Sequence, residues 1–304
     1  MIVLDNNDFP LKEKTAVAVG LFDGVHAGHV ALINDIKQHS EPGAIYTFDL
    51  KPSARRLIFT PDEKKSIFSS LMGEKDYYFE KGFDADFMAL KPEEFLKLLV
   101  DNFNPSHLTV GFDFRFGKNA VGDTALLEKY AEKYDYILSI IPEVRVDGFK
   151  VSSSKIRQTI TSGDMTETAE LLGHFYFVDG SVQTGKQLGR TIGFPTANIS
   201  TQKLLPPYGV YASYVRVNGK LRKAVTNIGI NPTVKSDDRV VIESFIIDFD
   251  SDIYGDEIRV YFVEKLRDEK RFSSIETLKK QMVVDAAASA KKLSDFSVYM
   301  KYII

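Results

Sequence analysis

Apolar residues follow two different spacings in the two halves of the chain. In the first half, short apolar runs alternate with helical patterns that begin at Pro61 and Pro92. The apolar runs are predicted strands and cover residues 16–19, 44–48, 108–110 and 136–141. Strands that alternate with helices predict a doubly wound α/β domain built on a parallel sheet. The helix from Pro92 is expected to bury Phe95, Leu98 and Leu99.

From Phe175 onward, the pattern changes to strands that are joined by turns. Asn218-Gly219 is a strong hairpin signal between predicted strands 211–217 and 222–228. Two further strands are predicted at 240–249 and 258–263, followed by a helix over 275–293 with apolar positions three and four apart. This order predicts a small antiparallel β-barrel with a C-terminal helix. We place the domain boundary after Gly173, giving domains 1–173 and 174–304.

The composition is typical of a globular protein and excludes several kinds of chemistry. The chain has 304 residues, a net charge of -3 and no cysteine, so disulfides, thiolate catalysis and cysteine-ligated metals are excluded. The net charge gives no reason to expect nucleic acid as a partner. No apolar run is long enough to cross a membrane. We therefore expect a cytoplasmic protein, monomeric or weakly homo-oligomeric, that acts on small molecules.

Residues 16–36 join a buried strand to a helix through a glycine-containing turn. Gly20 ends the strand, Asp23-Gly24 is typical of a tight turn, and His26 and His29 fall in the first turn of the helix. A helix N-terminus binds anions through its free N–H groups and its dipole. The stretch therefore predicts a triphosphate site to which the two imidazoles add donors. The alternative is that both histidines are structural.

Two later segments of the first half carry candidate ligand-binding groups. Residues 111–118 alternate aromatic rings with charges, which predicts a loop that packs its rings and turns Asp113 and Arg115 outward. An aromatic-anchored hairpin tip is the alternative. Serines 152–154 precede Arg157, and they are either helix N-caps or, together with Arg157, a site for phosphate groups. Asp164 is expected to cap the next helix.

The second half contains a glycine-rich run and one unusual carboxylate. Glycines in residues 185–193 leave N–H groups for phosphate, and Thr196 and Asn198 offer neutral oxygens that Mg2+ accepts when ATP supplies the rest. An ordinary glycine-rich turn is the alternative. Glu243 shares one face of its predicted strand with Val241 and Phe245. Burial on this apolar face would raise the pKa of Glu243 toward that of a general base. The alternative is a buried ion pair with an arginine.

These motifs resemble those of a known family. His26-Ala27-Gly28-His29 resembles the HxGH signature of nucleotidylyltransferases, and residues 20–26 resemble the opening of the bacterial bifunctional riboflavin kinase/FAD synthetases. Residues 111–118, 151–157 and 189–198 resemble later signatures of the same family, in the same order. The resemblance covers nearly the whole chain. It implies a Rossmann-like nucleotidylyltransferase domain followed by a riboflavin kinase barrel.

The resemblance also implies two reactions and a role for each candidate residue. Riboflavin would be phosphorylated to FMN with ATP and Mg2+, and FMN would be adenylylated to FAD. Glu243 would be the kinase base, Thr196 and Asn198 the metal ligands, and His26, His29 and Arg157 the catalytic groups of adenylylation. The residues implied in ATP binding are Gly20, Phe22, Asp23, Gly24, Gly28, Asp113, Ser153, Gly185, Arg190 and Gly193. Arg267 and Phe272 are implied in flavin binding, with a solvated charge run as the simpler account.

One position departs from the family pattern. Lys51 stands where family members usually carry a histidine between prolines. A lysine meets phosphate as a point charge but cannot act as an imidazole, so this change bears on the adenylylation site. Two alternatives to the bifunctional enzyme therefore stay open: a chain that retains only one of the activities, and a flavin- and nucleotide-binding regulator without turnover.

Overall fold

The computed structural model describes residues 1–49, 56–185, 189, 193–230, 240–295 and 299–304. They form two compact units, Met1–Ser153 and Ser154–Ile304. The predicted boundary after Gly173 stays a prediction. Lys51 and Arg190 lie outside the described residues.

A six-stranded parallel sheet forms the centre of the first unit. Its strands are β1 (Ile2–Val3), β2 (Thr15–Val19), β3 (Gly43–Asp49), β4 (Tyr77–Gly82), β5 (Pro105–Gly111) and β6 (Ile137–Ile141). They lie in the order β1-β4-β3-β2-β5-β6, so the chain winds outward in both directions from β2. The predicted doubly wound fold is confirmed, and its switch point lies between β2 and β5. Ligands bind at such a point, beyond the carboxyl ends of the strands.

Five α-helices and a short hairpin complete the described part of the first unit. The helices are α1 (Ala27–Ile36), α2 (Pro61–Leu71), α3 (Ala85–Ala89), α4 (Pro92–Phe103) and α5 (Thr124–Tyr134); β7 (Arg145–Val146) pairs with β8 (Phe149–Lys150). The helices predicted from Pro61 and Pro92 are confirmed, since each proline occupies a first-turn position. Helix α4 buries Phe95 and Leu99 as predicted, but Leu96 is buried in place of Leu98, which is only half-buried.

The second unit is a curled antiparallel sheet with helices packed on it. After α6 (Ser153–Ser162) and α7 (Met165–Leu172) come the strands β9 (Tyr176–Ser181), β10 (Thr196–Ile199), β11 (Gly209–Val217), β12 (Lys220–Ile230), β13 (Val240–Ile246) and β14 (Glu257–Arg267). Asp164 caps α7 as predicted. The strand order is β10-β13-β12-β11-β14-β9. Gln183, just beyond β9, bridges back to Asn198 on β10, which brings the two edges of the predicted barrel together.

The predicted hairpin and closing helix are both present. Asn218 and Gly219 have φ values of 49° and 72° between β11 and β12, as a tight two-residue hairpin requires. Helix α8 (Ile275–Lys292) contacts β11, β12 and β14. Its buried face was only partly predicted, because Ile275 is exposed whereas Asp285 is buried.

Candidate active sites

The loop between β2 and α1 lies at the switch point of the parallel sheet and is held in an unusual conformation. Phe22 and Val25 have φ values of 49° and 37°, and both side chains are fully buried. Non-glycine residues in this region carry strain, which clusters at ligand-binding sites. The Phe22 ring packs edge-on against His29 and Phe68. Its burial therefore fixes the loop that begins at Gly20 and turns at Gly24.

His26 and His29 cap the start of α1 in a reciprocal arrangement. The His29 N–H donates to His26 Nδ1, and the His26 N–H donates to His29 Nδ1, both over 3.3 Å. The two rings stack with their centroids 3.6 Å apart. Gly28 permits this, because a Cβ there would lie 3.1 Å from the His26 ring. With both Nδ1 atoms accepting hydrogen bonds, each neutral ring carries its proton on Nε2 and offers one N–H donor.

The histidine pair is electrically neutral in the folded protein. Burial lowers the pKa of His26 from 6.5 to about 4, against the opposing effect of the carboxylates of Asp23 and Asp113. Burial also lowers the pKa of His29 well below its ordinary value, helped by the neighbouring His26 and Lys64. The prediction that both imidazoles lie at a helix N-terminus is confirmed. Without a ligand, they are neutral donors.

Asp113 and Ser153 border the same loop. The Ser153 hydroxyl donates to the Asp23 carbonyl oxygen over 2.7 Å. Asp113 follows β5, is mostly exposed and lies 3.8 Å from Lys150 Nζ. As predicted, Asp113 and Arg115 point outward while Phe116 is buried; Phe112 was expected to pack inside but is exposed.

Arg157 is placed one helical turn after Ser153. It lies on α6 and is half-buried. Ser153 is the last residue of the first compact unit, and Arg157 belongs to the second. The structure thus brings His26, His29, Asp23, Asp113 and Ser153 to one edge of the first unit.

Sequence reasoning missed a charged group at this edge. Lys64, in the first turn of α2, is 8% exposed. Its ammonium group pairs with Glu80 on β4 and donates to the Phe48 carbonyl and the Thr47 hydroxyl. Lys64 and Glu80 line a small cavity together with residues 21–24 of the loop. The signal available in the sequence was a lysine near the positive end of a helix, where lysine is unfavourable.

In the second unit, the predicted metal ligands and base lie on one face of the sheet. Asn198 on β10 pairs directly with Glu243 on β13, which pairs in turn with Asn227 on β12. Thr196 lies two residues before Asn198 and faces the same way. The Asn198 amide donates to the Thr196 carbonyl over 3.2 Å, so its Oδ1 is the atom available to a cation.

The predicted burial of Glu243 is wrong. The inward face of β13 carries Ile242, Ser244 and Ile246, and Glu243 is exposed on the other face. Ser244 is accommodated inside because its hydroxyl hydrogen-bonds to that of Thr226 over 2.8 Å. A role of Glu243 as a base therefore cannot rest on burial. The strand also ends earlier than predicted, at Ile246 rather than at residue 249.

A cleft of about 310 Å³ adjoins the predicted metal ligands. It is lined by Gly185, by Pro195 and residues 196–198 of β10, and by the loop 249–254, which contributes Asp250 and Asp252. A Cβ on Gly185 would lie only 2.6 Å from the Asn198 amide nitrogen, so a side chain at this position would displace that amide. Gly193 is exposed at the end of the glycine-rich run.

Arg267 and Phe272 lie outside the cleft lining, at the end of β14 and beyond it. Arg267 Nη2 lies 2.7 Å from the Asp285 carboxylate, and its Nη1 donates to the Asp268 carbonyl. The guanidinium is 5.8 Å from the Phe272 ring centroid. Whether this pair contacts flavin stays a prediction.

Within the described residues, no group of three or more His, Asp or Glu side chains is arranged to hold a metal ion. In the same residues, no helix is both long and apolar enough to span a membrane.

Comparison with known proteins identifies both units. The FAD synthetase family model matches residues 8–155, and the riboflavin kinase model matches residues 172–293. A bifunctional riboflavin kinase/FMN adenylyltransferase of Listeria monocytogenes is 36% identical over 282 residues, which is 88% of this chain and 89% of that protein. The Bacillus subtilis protein of the same name is 33% identical, covering 93% of each chain. The chain belongs to the bifunctional riboflavin kinase/FMN adenylyltransferase family.

One solved structure is similar to nearly the whole chain. A Streptococcus pneumoniae crystal structure matches 95% of this chain and 98% of its own, with a TM-score of 0.82 and 30% identity. That protein is described as a macrolide-efflux protein, and the description applies to that protein alone.

Proposed function

We propose that this chain makes FAD in two steps at two separate sites. The second unit phosphorylates riboflavin to FMN with ATP. The first unit then adenylylates FMN to FAD and releases pyrophosphate. The observation that supports the proposal is that each unit brings its own set of predicted site residues together. One is the histidine pair at the switch point of the parallel sheet, and the other is the polar row Asn198–Glu243–Asn227 on the barrel.

In the second unit, Glu243 takes the proton from the riboflavin 5′-hydroxyl as the hydroxyl oxygen attacks the γ-phosphorus and ADP leaves. A carboxylate within hydrogen-bond reach of the hydroxyl can accept this proton. Thr196 and Asn198 are hard neutral oxygen donors on one strand face, which fits Mg2+ held mainly by ATP. Bound there, Mg2+ would neutralise phosphate charge. Arg190 adds charge, and Gly185 and Gly193 let the backbone approach the phosphates. Arg267 and Phe272 are proposed to border the flavin.

In the first unit, an FMN phosphate oxygen attacks the α-phosphorus of ATP and the bond to the β-phosphate oxygen breaks. The Nε2–H groups of His26 and His29 donate to the phosphate oxygens, where charge develops. Gly20, Phe22, Asp23, Gly24 and Gly28 shape the loop against the nucleotide. Ser153, together with Arg157 one turn further along α6, holds the outer phosphates, and Asp113 contacts nucleotide or flavin.

We also propose that the protein works in the cytoplasm as a monomer or weak homo-oligomer, with riboflavin, FMN and ATP as its partners and no nucleic acid. Membership in a cofactor-biosynthesis family supports this setting.

Incubation of the protein with riboflavin, ATP and Mg2+, followed by chromatographic separation of the flavins, tests the function. Both activities predict that FMN accumulates transiently and FAD follows. If FMN forms but no FAD follows, even when FMN is supplied directly, the adenylylation step is refuted. If neither product forms, a flavin- and nucleotide-binding protein without turnover is favoured.

A further inference from the structure

Lys64 is a buried cation whose position costs free energy. It is 8% exposed and lies in the first turn of α2, at the positive end of the helix dipole, where a cation is unfavourable. The helix does not need it to begin, because Thr60 and Glu63 form a capping box and Pro61 occupies the first turn. A buried ion pair is seldom more stabilising than apolar side chains of the same size. The Lys64–Glu80 pair is therefore poorly explained by stability alone.

The contacts of Lys64 lead directly to the nucleotide loop. Thr47 on β3 and Glu80 on β4 are direct neighbours in the sheet, and the ammonium group bridges them. An ammonium group only donates, so the Thr47 hydroxyl accepts from it and keeps its own proton for another acceptor. That acceptor is the Leu21 carbonyl, at 3.2 Å. A continuous chain of contacts thus runs from Glu80 through Lys64 and Thr47 to the loop.

This loop is the one that holds the strained Phe22 and Val25 and positions the histidine pair. We propose that Lys64, held by Glu80, is a positioning residue for FMN adenylylation: it orients the Thr47 hydroxyl toward the Leu21 carbonyl and thereby holds the loop that leads to His26. The inference rests on the proposed adenylylation at this site. Displacements of about 1 Å at a reacting centre cost up to about 100-fold in rate.

The test compares FAD formation from FMN in Lys64→Met and in the matched control Lys65→Met, which changes the exposed neighbouring lysine. We expect Lys64→Met to lower kcat/KM for FAD formation about 10- to 100-fold, mainly through kcat. Riboflavin phosphorylation by the second unit should be unchanged in both variants. Lys65→Met should leave both activities unchanged.

A second variant separates positioning from simple stability. The double variant Lys64→Met/Glu80→Gln removes both charges of the pair, and the amide oxygen of the introduced glutamine still accepts from the Tyr78 hydroxyl that now donates to Glu80. A purely structural role predicts that thermal stability and FAD formation recover together. The proposal predicts that stability recovers while FAD formation stays low.

The pH profile gives an independent readout. Lys64 helps to lower the pKa of His29, so its removal lets His29 bind a proton at higher pH. The acid limb of kcat/KM for FAD formation should move to higher pH in Lys64→Met, in which the neighbouring groups His26, Asp23, Asp113 and Glu80 are left in place. An unmoved limb, or unchanged FAD formation, would overturn the inference. A parent protein that makes no FAD would instead refute the proposed function.

Discussion

Lowering the pH should destabilise the first unit through His26. The folded-state pKa of this ring is about 4, compared with 6.5 in the unfolded chain, because the ring is buried at the N-cap of α1. The unfolded chain therefore binds the proton more readily. The stabilising contribution is fully present above pH 6.5 and is lost as the pH falls toward about 4.

The magnitude follows from the size of this shift. A change from 6.5 to about 4 corresponds to roughly 3 kcal/mol of unfolding free energy. Protonation of Nδ1 also removes the acceptor for the His29 N–H, so the start of α1 should loosen in the same pH range. This loss is a large fraction of the stability of an ordinary domain.

Titration of the five histidines by NMR, together with hydrogen exchange at the buried amides of β2, measures both effects. The control is His26→Asn, because asparagine is a good N-cap and does not titrate in this range. It should keep most of the stability at pH 7 and lose the dependence on pH that His26 causes. A His26 resonance that titrates at or above pH 6.5 would show that burial does not lower the pKa of this ring.

Two further predictions concern the second unit. Gly185→Ala should push the Asn198 amide aside and slow riboflavin phosphorylation at least about tenfold. FAD formation from supplied FMN should not change. Riboflavin phosphorylation at the parent rate would contradict a role for the close approach of Gly185 to Asn198. Asp285→Ala removes the buried carboxylate that pairs with the half-buried Arg267 and should cost about 3 kcal/mol in urea unfolding, the lower end for breaking a buried pair. As a control, Glu276→Ala breaks an exposed pair with Lys280 and should cost less than about 1 kcal/mol. Similar losses of unfolding free energy in Asp285→Ala and Glu276→Ala would contradict the importance of burial.

Local sequence signals predicted the elements whose cause is local. Residues close by in the sequence determine four of these features: strand β2, the Asn218-Gly219 hairpin, the Asp164 cap and the helix start at His26. The face of β13 could not be assigned in this way, because both of its faces carry apolar side chains. Ser244 points inward only because Thr226, on another strand, accepts or donates a hydrogen bond there.

The charged groups that the sequence did not reveal depend on long-range pairing. Lys64 and Glu80 meet only because β3 and β4 are parallel neighbours and α2 packs over their ends. Asp285 is buried on α8 because Arg267 at the end of β14 pairs with it. Neither partner can be recognised from the spacing of its own helix or strand.

In the proposed function one chain cleaves ATP at two sites, and a pair of variants can separate them. Given FMN, ATP and Mg2+, Glu243→Gln should make FAD at the parent rate, yet it should form FMN from riboflavin about 100-fold or more slowly. His29→Ala should show the reverse pattern. If both variants lost both activities together, or neither variant lost one, the two-site account would be contradicted.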